Sequence, residues 1–297
     1  MNPVIFNIGN IEIRWYAVLI LVGVLLGFLL AIIEGKRKGI SKEDILDLGF
    51  YVVLFGIIGA RLYYVLFNYN AYKGNFLEIF KIWNGGLAIH GGIIVGLLTI
   101  IIYALIKKIR ILKLTDLAVP SVILAQAIGR WGNFFNSEAH GPATTLASLQ
   151  ALKFIPKYVI KGMNIGGVYY HPTFYYESLW CLCGFVLLII MRRIFKYIKT
   201  GELTCVYVMW YSLGRYFIES LRTDSLMIGS LKAAQVVSIG AFALAFILLI
   251  IILIKKDNEE VIEVKKENKK KKNKKNIDKE ETKEENNENI ENEDLDK

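Results

Sequence analysis

Gln126, Arg130 and Asn133 recur at spacings of four and three, which puts two amides and a guanidinium on one helical face. A planar guanidinium fork flanked by amides complements a phosphate or a carboxylate. Asn136, Glu138 and Gly141 follow within the same run. Alone, Arg130 would read as a snorkelling interfacial residue; the polar residues that follow it favour a binding face. A second stripe carries more charge: Tyr207, Tyr211, Arg215 and Glu219 are spaced by fours, and Arg222 comes three later. An Arg215–Glu219 ion pair accounts for two of these and leaves the tyrosines and Arg222 unexplained. His90 precedes Gly91 and Gly92 and follows Gly85 and Gly86. Its imidazole is either hydrogen-bonded helix glue or a proton acceptor. Arg61, with Tyr64 three residues on, reads as a pairing residue inside a bundle, and Tyr16 as an aromatic anchor at a bilayer interface.

The elements that carry these residues are apolar. Of 297 residues, 54% are hydrophobic and 21% charged, and the mean hydropathy is +0.41. From Lys255 onward there are 13 Lys against 15 Asp and Glu, which leaves 23 basic and 12 acidic residues for the rest. A body so poor in charge is neither a soluble enzyme nor a secreted disulfide scaffold, and its basicity belongs to membrane-flanking loops rather than to a nucleic-acid groove. The cysteines Cys181, Cys183 and Cys205 lie in apolar runs without metal-ligand spacing. Seven segments have the length that hydrocarbon thickness demands: 15–33, 49–67, 87–106, 116–135, 177–195, 203–217 and 233–254. The expected fold is an all-α polytopic membrane protein with seven transmembrane helices.

Basic clusters after the first, third, fifth and seventh segments put those ends in the cytoplasm. The expected orientation is N-terminus out, C-terminus in, with the first apolar run retained. The polar clusters and all three histidines, His90, His140 and His171, then fall at or near the outer ends. An ionisable group within a span is a functional-site candidate because burying it in lipid is costly. Residues 139–173 are expected to form an outer interfacial arm or lid. Residues 1–254 are expected to be the catalytic domain, and 255–297, nearly all Lys, Glu, Asn and Asp, a disordered cytoplasmic tail. Its Lys-rich block is read as solvated.

These motifs resemble the prolipoprotein diacylglyceryl transferase family. The signature G-R-x-G-N-F-x-N-x-E-x-x-G is matched by Gly129, Arg130, Gly132, Asn133, Phe134, Asn136, Glu138 and Gly141. His90, Gly91 and Gly92 match H-G-G, and His171, Pro172, Thr173, Tyr176 and Glu177 match H-P-[ST]-x-x-Y-E. Tyr211 with Arg215 and Arg61 with Tyr64 match two shorter motifs. The similarity covers about residues 10–254.

The resemblance implies transfer of the sn-1,2-diacylglyceryl group of phosphatidylglycerol to the lipobox cysteine thiol in a prolipoprotein signal peptide. This forms a thioether, releases glycerol phosphate and is the first step of bacterial lipoprotein maturation in the inner (cell) membrane. It implies that Arg130, Asn133, Glu138, Gly141 and Arg215 bind phosphatidylglycerol, with His90, Arg130 and Arg215 catalytic. Tyr16, Tyr211, Glu219 and Arg222 form a second tier. No nucleotide or metal is expected, because the phosphoester supplies its own leaving group, and no nucleic acid is expected as a partner. A transporter of small organic anions would use the arginines as a transient site, but the spans show no inverted repeat. An intramembrane protease would need a catalytic Asp pair, G-x-S-x-G or H-E-x-x-H, and none occurs.

Overall fold

The computed structural model describes residues 1–9, 11–74, 76–194, 198–223 and 225–255. A short antiparallel hairpin, β1 (Val4–Ile8) and β2 (Ile11–Arg14), leads into α1 (Trp15–Lys38). Then come α2 (Lys42–Phe67), the single turn α3 (Tyr69–Tyr72) and two 3-10 turns, Phe76–Phe80 and Ile82–Asn84. α4 (Ile89–Lys107) and α5 (Ile111–Asn136) precede a small excursion. It holds β3 (Ala143–Thr144), α6 (Leu146–Ala151), α7 (Lys157–Gly162), β4 (Asn164–Ile165) and β5 (Val168–Tyr170), with the strands ordered β3-β5-β4. α8 (Thr173–Ile194), α9 (Glu202–Ser220), the hairpin β6 (Met227–Ile228) and β7 (Leu231–Lys232), and α10 (Ala233–Ile254) follow. Residues 1–250 form one unit, and a second begins at Ile251.

Six of these helices, α1, α2, α4, α5, α8 and α10, are long and apolar enough to cross a membrane among the described residues. Their apolar side chains face outward: Leu25 is 59% exposed and Leu244 71%. Such surfaces suit lipid and would aggregate in water. The chain is therefore a multi-pass helical membrane protein. The segment expected at 203–217 is helical as α9, but its polar stripe keeps it below the hydropathy of the other six. The expected span at 49–67 starts earlier, at Lys42, because Ser41 caps α2 by accepting from the Asp44 amide at 3.0 Å. That first turn is polar, so hydropathy alone passes over it. The expected tail at 255–297 and Phe195 at the end of the fifth segment lie outside the described residues, except for Lys255.

Packing follows small residues and a few buried polar ties. α1 lies on α5, where the Ser121 hydroxyl donates to Gly27 O at 2.9 Å. α2 lies on α4, where the backbones come so close that a Cβ on Gly91 would strike Gly59 O. On α8 and α9, Trp180 and Trp210 stack at 4.4 Å, and each indole N–H donates to the other's backbone carbonyl, at 2.9 and 3.0 Å.

At the ends carrying the basic loops, Asp116 of α5 takes up the first amides of α9. It accepts from Gly201 N at 2.6 Å and from Thr204 N at 2.8 Å. Arg192 donates to the Asp116 carbonyl, and Glu34 of α1 receives Arg193 at 2.9 Å and Arg192 at 3.8 Å. This end of the bundle is fastened by buried charges, which leaves the opposite ends of α5, α8 and α9 to build the site.

Candidate active site

Arg130, near the end of α5, meets Glu177 of α8, with Nη2 2.5 Å from Oε1. Arg215 of α9 reaches the other oxygen of the same carboxylate, with Nη1 3.4 Å from Oε2, and pairs through Nη2 with Glu219 at 2.7 Å. Glu177 and Glu219 are 3% and 2% exposed, so both carboxylates are withdrawn from solvent. The two guanidiniums are only partly covered, at 22% and 19% side-chain exposure. A buried carboxylate without its cation would carry a large desolvation cost, and two arginines alone would repel each other. The alternating chain Arg130–Glu177–Arg215–Glu219 solves both problems. It also holds two forks at the spacing of the two oxygens of one oxyanion. Tyr211, one turn before Arg215, lies beside both arginines, and its ring stacks on that of Tyr207 at 6.2 Å.

The loop leaving α5 is equally ordered. Ser137, at φ +53°, ends the helix in the left-handed conformation. The turn brings Glu138 back over the helix end, where Asn133 and Asn136 donate to its Oε1 at 3.0 and 3.1 Å. Three residues of the expected binding run thus form one amide–carboxylate knot, while Arg130 on the same helix turns to Glu177.

Gly141 sits at a three-way junction. Its amide donates to His171 O at 2.8 Å, His171 N donates to Pro142 O at 3.1 Å, and Thr173 Oγ1 donates to Ala139 O at 2.6 Å. A Cβ on Gly141 would lie 2.9 Å from His171 Cβ, 3.0 Å from Thr173 Cγ2 and 3.2 Å from Leu221 O. Gly141→Ala should therefore cost about 1–3 kcal/mol of stability through overpacking. A lowered thermal unfolding midpoint in detergent checks this, and an unchanged midpoint would show that the junction yields.

The other expected residues separate. Tyr16, at the start of α1, packs its ring against Gly132 of α5, while Trp15 stacks on Phe135 at 4.6 Å. Arg222 lies just past α9, where Lys232 Nζ donates to the carbonyls of Glu219, Ser220 and Arg222. His90 occupies the first turn of α4, exposed, its ring 6.1 Å from that of Tyr63 on α2. It belongs to the α2–α4 pair, whereas both arginines belong to α5, α8 and α9.

Arg61 is buried and explains the loop before His90. Its guanidinium donates to the carbonyls of Glu78, Ile79, Gly85 and Gly86 at 2.6–3.0 Å. The expectation that Arg61 pairs within the bundle holds, with backbone carbonyls as its partners. His140 packs on Tyr170 at 4.1 Å, and His171 Nδ1 lies 3.2 Å from the Tyr176 hydroxyl, so both histidines belong to the arm.

Glu177 is the residue that sequence reasoning undervalues: it enters only as the last position of the H-P-[ST]-x-x-Y-E motif and is not assigned to the site. The signal was present, since two arginines on neighbouring spans require a buried counter-charge. Arm and site are joined by a core of Phe134, Leu149, Val159, Met163, Phe174 and Tyr175.

The chain matches the family model for prolipoprotein diacylglyceryl transferase over residues 3–251. A phosphatidylglycerol–prolipoprotein diacylglyceryl transferase of Listeria innocua is 50% identical over 239 residues, covering 80% of this chain and 85% of the relative. One from Bacillus licheniformis is 50% identical over 240 residues, covering 80% and 88%. One from Ligilactobacillus salivarius is 48% identical over 242 residues, covering 82% and 90%.

Proposed function

The chain belongs to the prolipoprotein diacylglyceryl transferase family, and we propose that its Arg130–Glu177–Arg215 cluster is where phosphatidylglycerol is held for transfer. The enzyme moves the sn-1,2-diacylglyceryl group of phosphatidylglycerol onto the lipobox cysteine thiol of a prolipoprotein, the first step of lipoprotein maturation. The thiol sulfur attacks the glyceryl carbon bonded to the phosphate. A C–S thioether forms, the C–O bond breaks, and the bonding pair leaves with glycerol phosphate.

One observation carries the site assignment: two partly exposed guanidiniums, each on a different oxygen of one buried carboxylate. Glu177 sets the distance between the forks, and each guanidinium keeps N–H groups beyond its contact with that carboxylate. They suit the phosphate of the lipid and the negative charge that grows on its leaving oxygen. Asn133, Glu138 and Gly141 shape the rim through the knot and junction above, and Tyr16 packs against Gly132 of the same helix end. Tyr211 and Glu219 support Arg215 along α9, and Arg222 follows just past its end.

A free thiol has a pKa of about 8.5 and is only slightly ionised at neutral pH, so it needs a base or nearby cations. His90 is the proposed base. Complementing a strain depleted of its own transferase, with the lipoprotein's thioether read by mass spectrometry, tests the function. Growth without the thioether would defeat it.

The proposed topology has seven spans, α9 being the sixth, in the bacterial inner membrane. The N-terminus and site face outward, and residues 255–297 form a separate cytoplasmic segment. The basic loops after α1, α4 and α8 support this. A cysteine placed at Lys157 should react with an impermeant maleimide added outside, and one placed at Lys108 should not. Outside labelling at 108 would invert the arrangement.

A further inference from the structure

The excursion between α5 and α8 carries a cavity of about 570 Å³ that the transfer chemistry does not use. Lys153, Lys157 and Lys161 line it around Leu146, Ile155 and Tyr169. Lys157 and Lys161 share one face of α7, spaced by four, with buried Ile160 beside them in the lining, while Val159 on the other side is buried in the core beneath. Residues 139–173 contain these three lysines and no Asp, Glu or Arg. Phe154 and Tyr158 stand exposed beside them, at 54% and 56%. Tyr158 also stacks on Trp131 at 5.9 Å, which fixes the arm to the end of α5, one residue from Arg130.

We propose that this cavity is a second lipid site, which docks the headgroup of an anionic phospholipid beside the entrance to the transfer site. The charge is complementary: three ammonium groups stand over an apolar floor, with no carboxylate of the arm to neutralise them. Exposed aromatics alternating with lysines are the side chains that settle at the boundary of headgroups and acyl chains. A peptide docking by strand addition would need an edge to extend, and β3 and β4, the edges of the arm's sheet, have two residues each. The placement of this surface at the outer leaflet rests on the topology proposed above. The lipid contact itself does not, because a disc offers both of its faces.

The test is amine footprinting of the full chain, under single-hit acetylation read by mass spectrometry. Discs of pure phosphatidylcholine are compared with discs containing phosphatidylserine. Lys73, an exposed lysine of the loop after α3, reports the general effect of surface charge. In the anionic discs Lys153, Lys157 and Lys161 should be acetylated about fivefold more slowly relative to Lys73, as expected for lysines held against anionic headgroups. High salt should remove the difference. Equal slowing of Lys73 and the arm lysines would overturn the proposal. So would protection in phosphatidylcholine discs by soluble glycerol phosphate, which would make this a free-phosphate site, or by a lipobox peptide alone, which would make it a peptide site. No turnover is read, so failure here leaves the transferase assignment untouched, and failure of transfer leaves this result standing.

Discussion

Arg130→Lys and Arg215→Lys should each lose transfer almost as completely as the corresponding alanine variants, by about 10²–10³ in kcat. Lysine keeps the positive charge but presents a point ammonium, which cannot make two parallel bonds to an oxyanion or reach across from Glu177 in the same geometry. Each variant also disturbs a buried ion pair. Breaking such a pair outright costs about 3–5 kcal/mol, so the alanine variants risk misfolding, and the lysine variants are the informative ones. Turnover should be measured on folded protein, with the unfolding midpoint taken alongside. A lysine variant that folds and works at near-normal rate would mean that positive charge suffices and that the forks are incidental.

His90→Gln should slow transfer by about 10²–10⁴ while leaving the fold intact. Glutamine keeps the length and hydrogen-bonding capacity of the side chain, and the α2–α4 contact is carried by Gly59 and Gly91 rather than by the imidazole. The pH profile separates the two readings of this residue. A base at His90 gives the wild type a limb that the variant lacks, and the variant recovers in alkali as the thiol ionises unaided. An unchanged rate, or the same limb in the variant, would reduce His90 to a packing residue, with Glu138 the next candidate base.

Much of the site was legible in the sequence because its chemistry is local. Arg130, Asn133, Asn136 and Glu138 lie within nine residues, and helix periodicity with one left-handed turn at Ser137 brings the amides onto the carboxylate. The Arg215–Glu219 pair follows from i,i+4 spacing in the same way. The Arg130–Glu177 pair spans the whole arm, and no local period encodes it. The capping of α9 by Asp116, 85 and 88 residues away from its partners, was invisible for that reason.

Hydropathy located the apolar helices but shortened α2, whose first turn is polar, and overlooked the strands of the arm. Those strands are two or three residues long, too short to show alternation. Arg61 was legible as a buried charge, yet its partners are carbonyls, and carbonyls have no sequence signature.

The central claim is that this chain transfers a diacylglyceryl group from a phospholipid held by Arg130 and Arg215. The most direct measurement incubates the purified protein, in discs containing phosphatidylglycerol, with a lipobox peptide, and reads both peptide mass and released glycerol phosphate. The account predicts a gain of one diacylglyceryl group on the cysteine, in a linkage stable to mild alkali as a thioether is, with one glycerol phosphate released per peptide modified. A peptide that stays unmodified, gains a single acyl chain, or is modified without stoichiometric glycerol phosphate would contradict it.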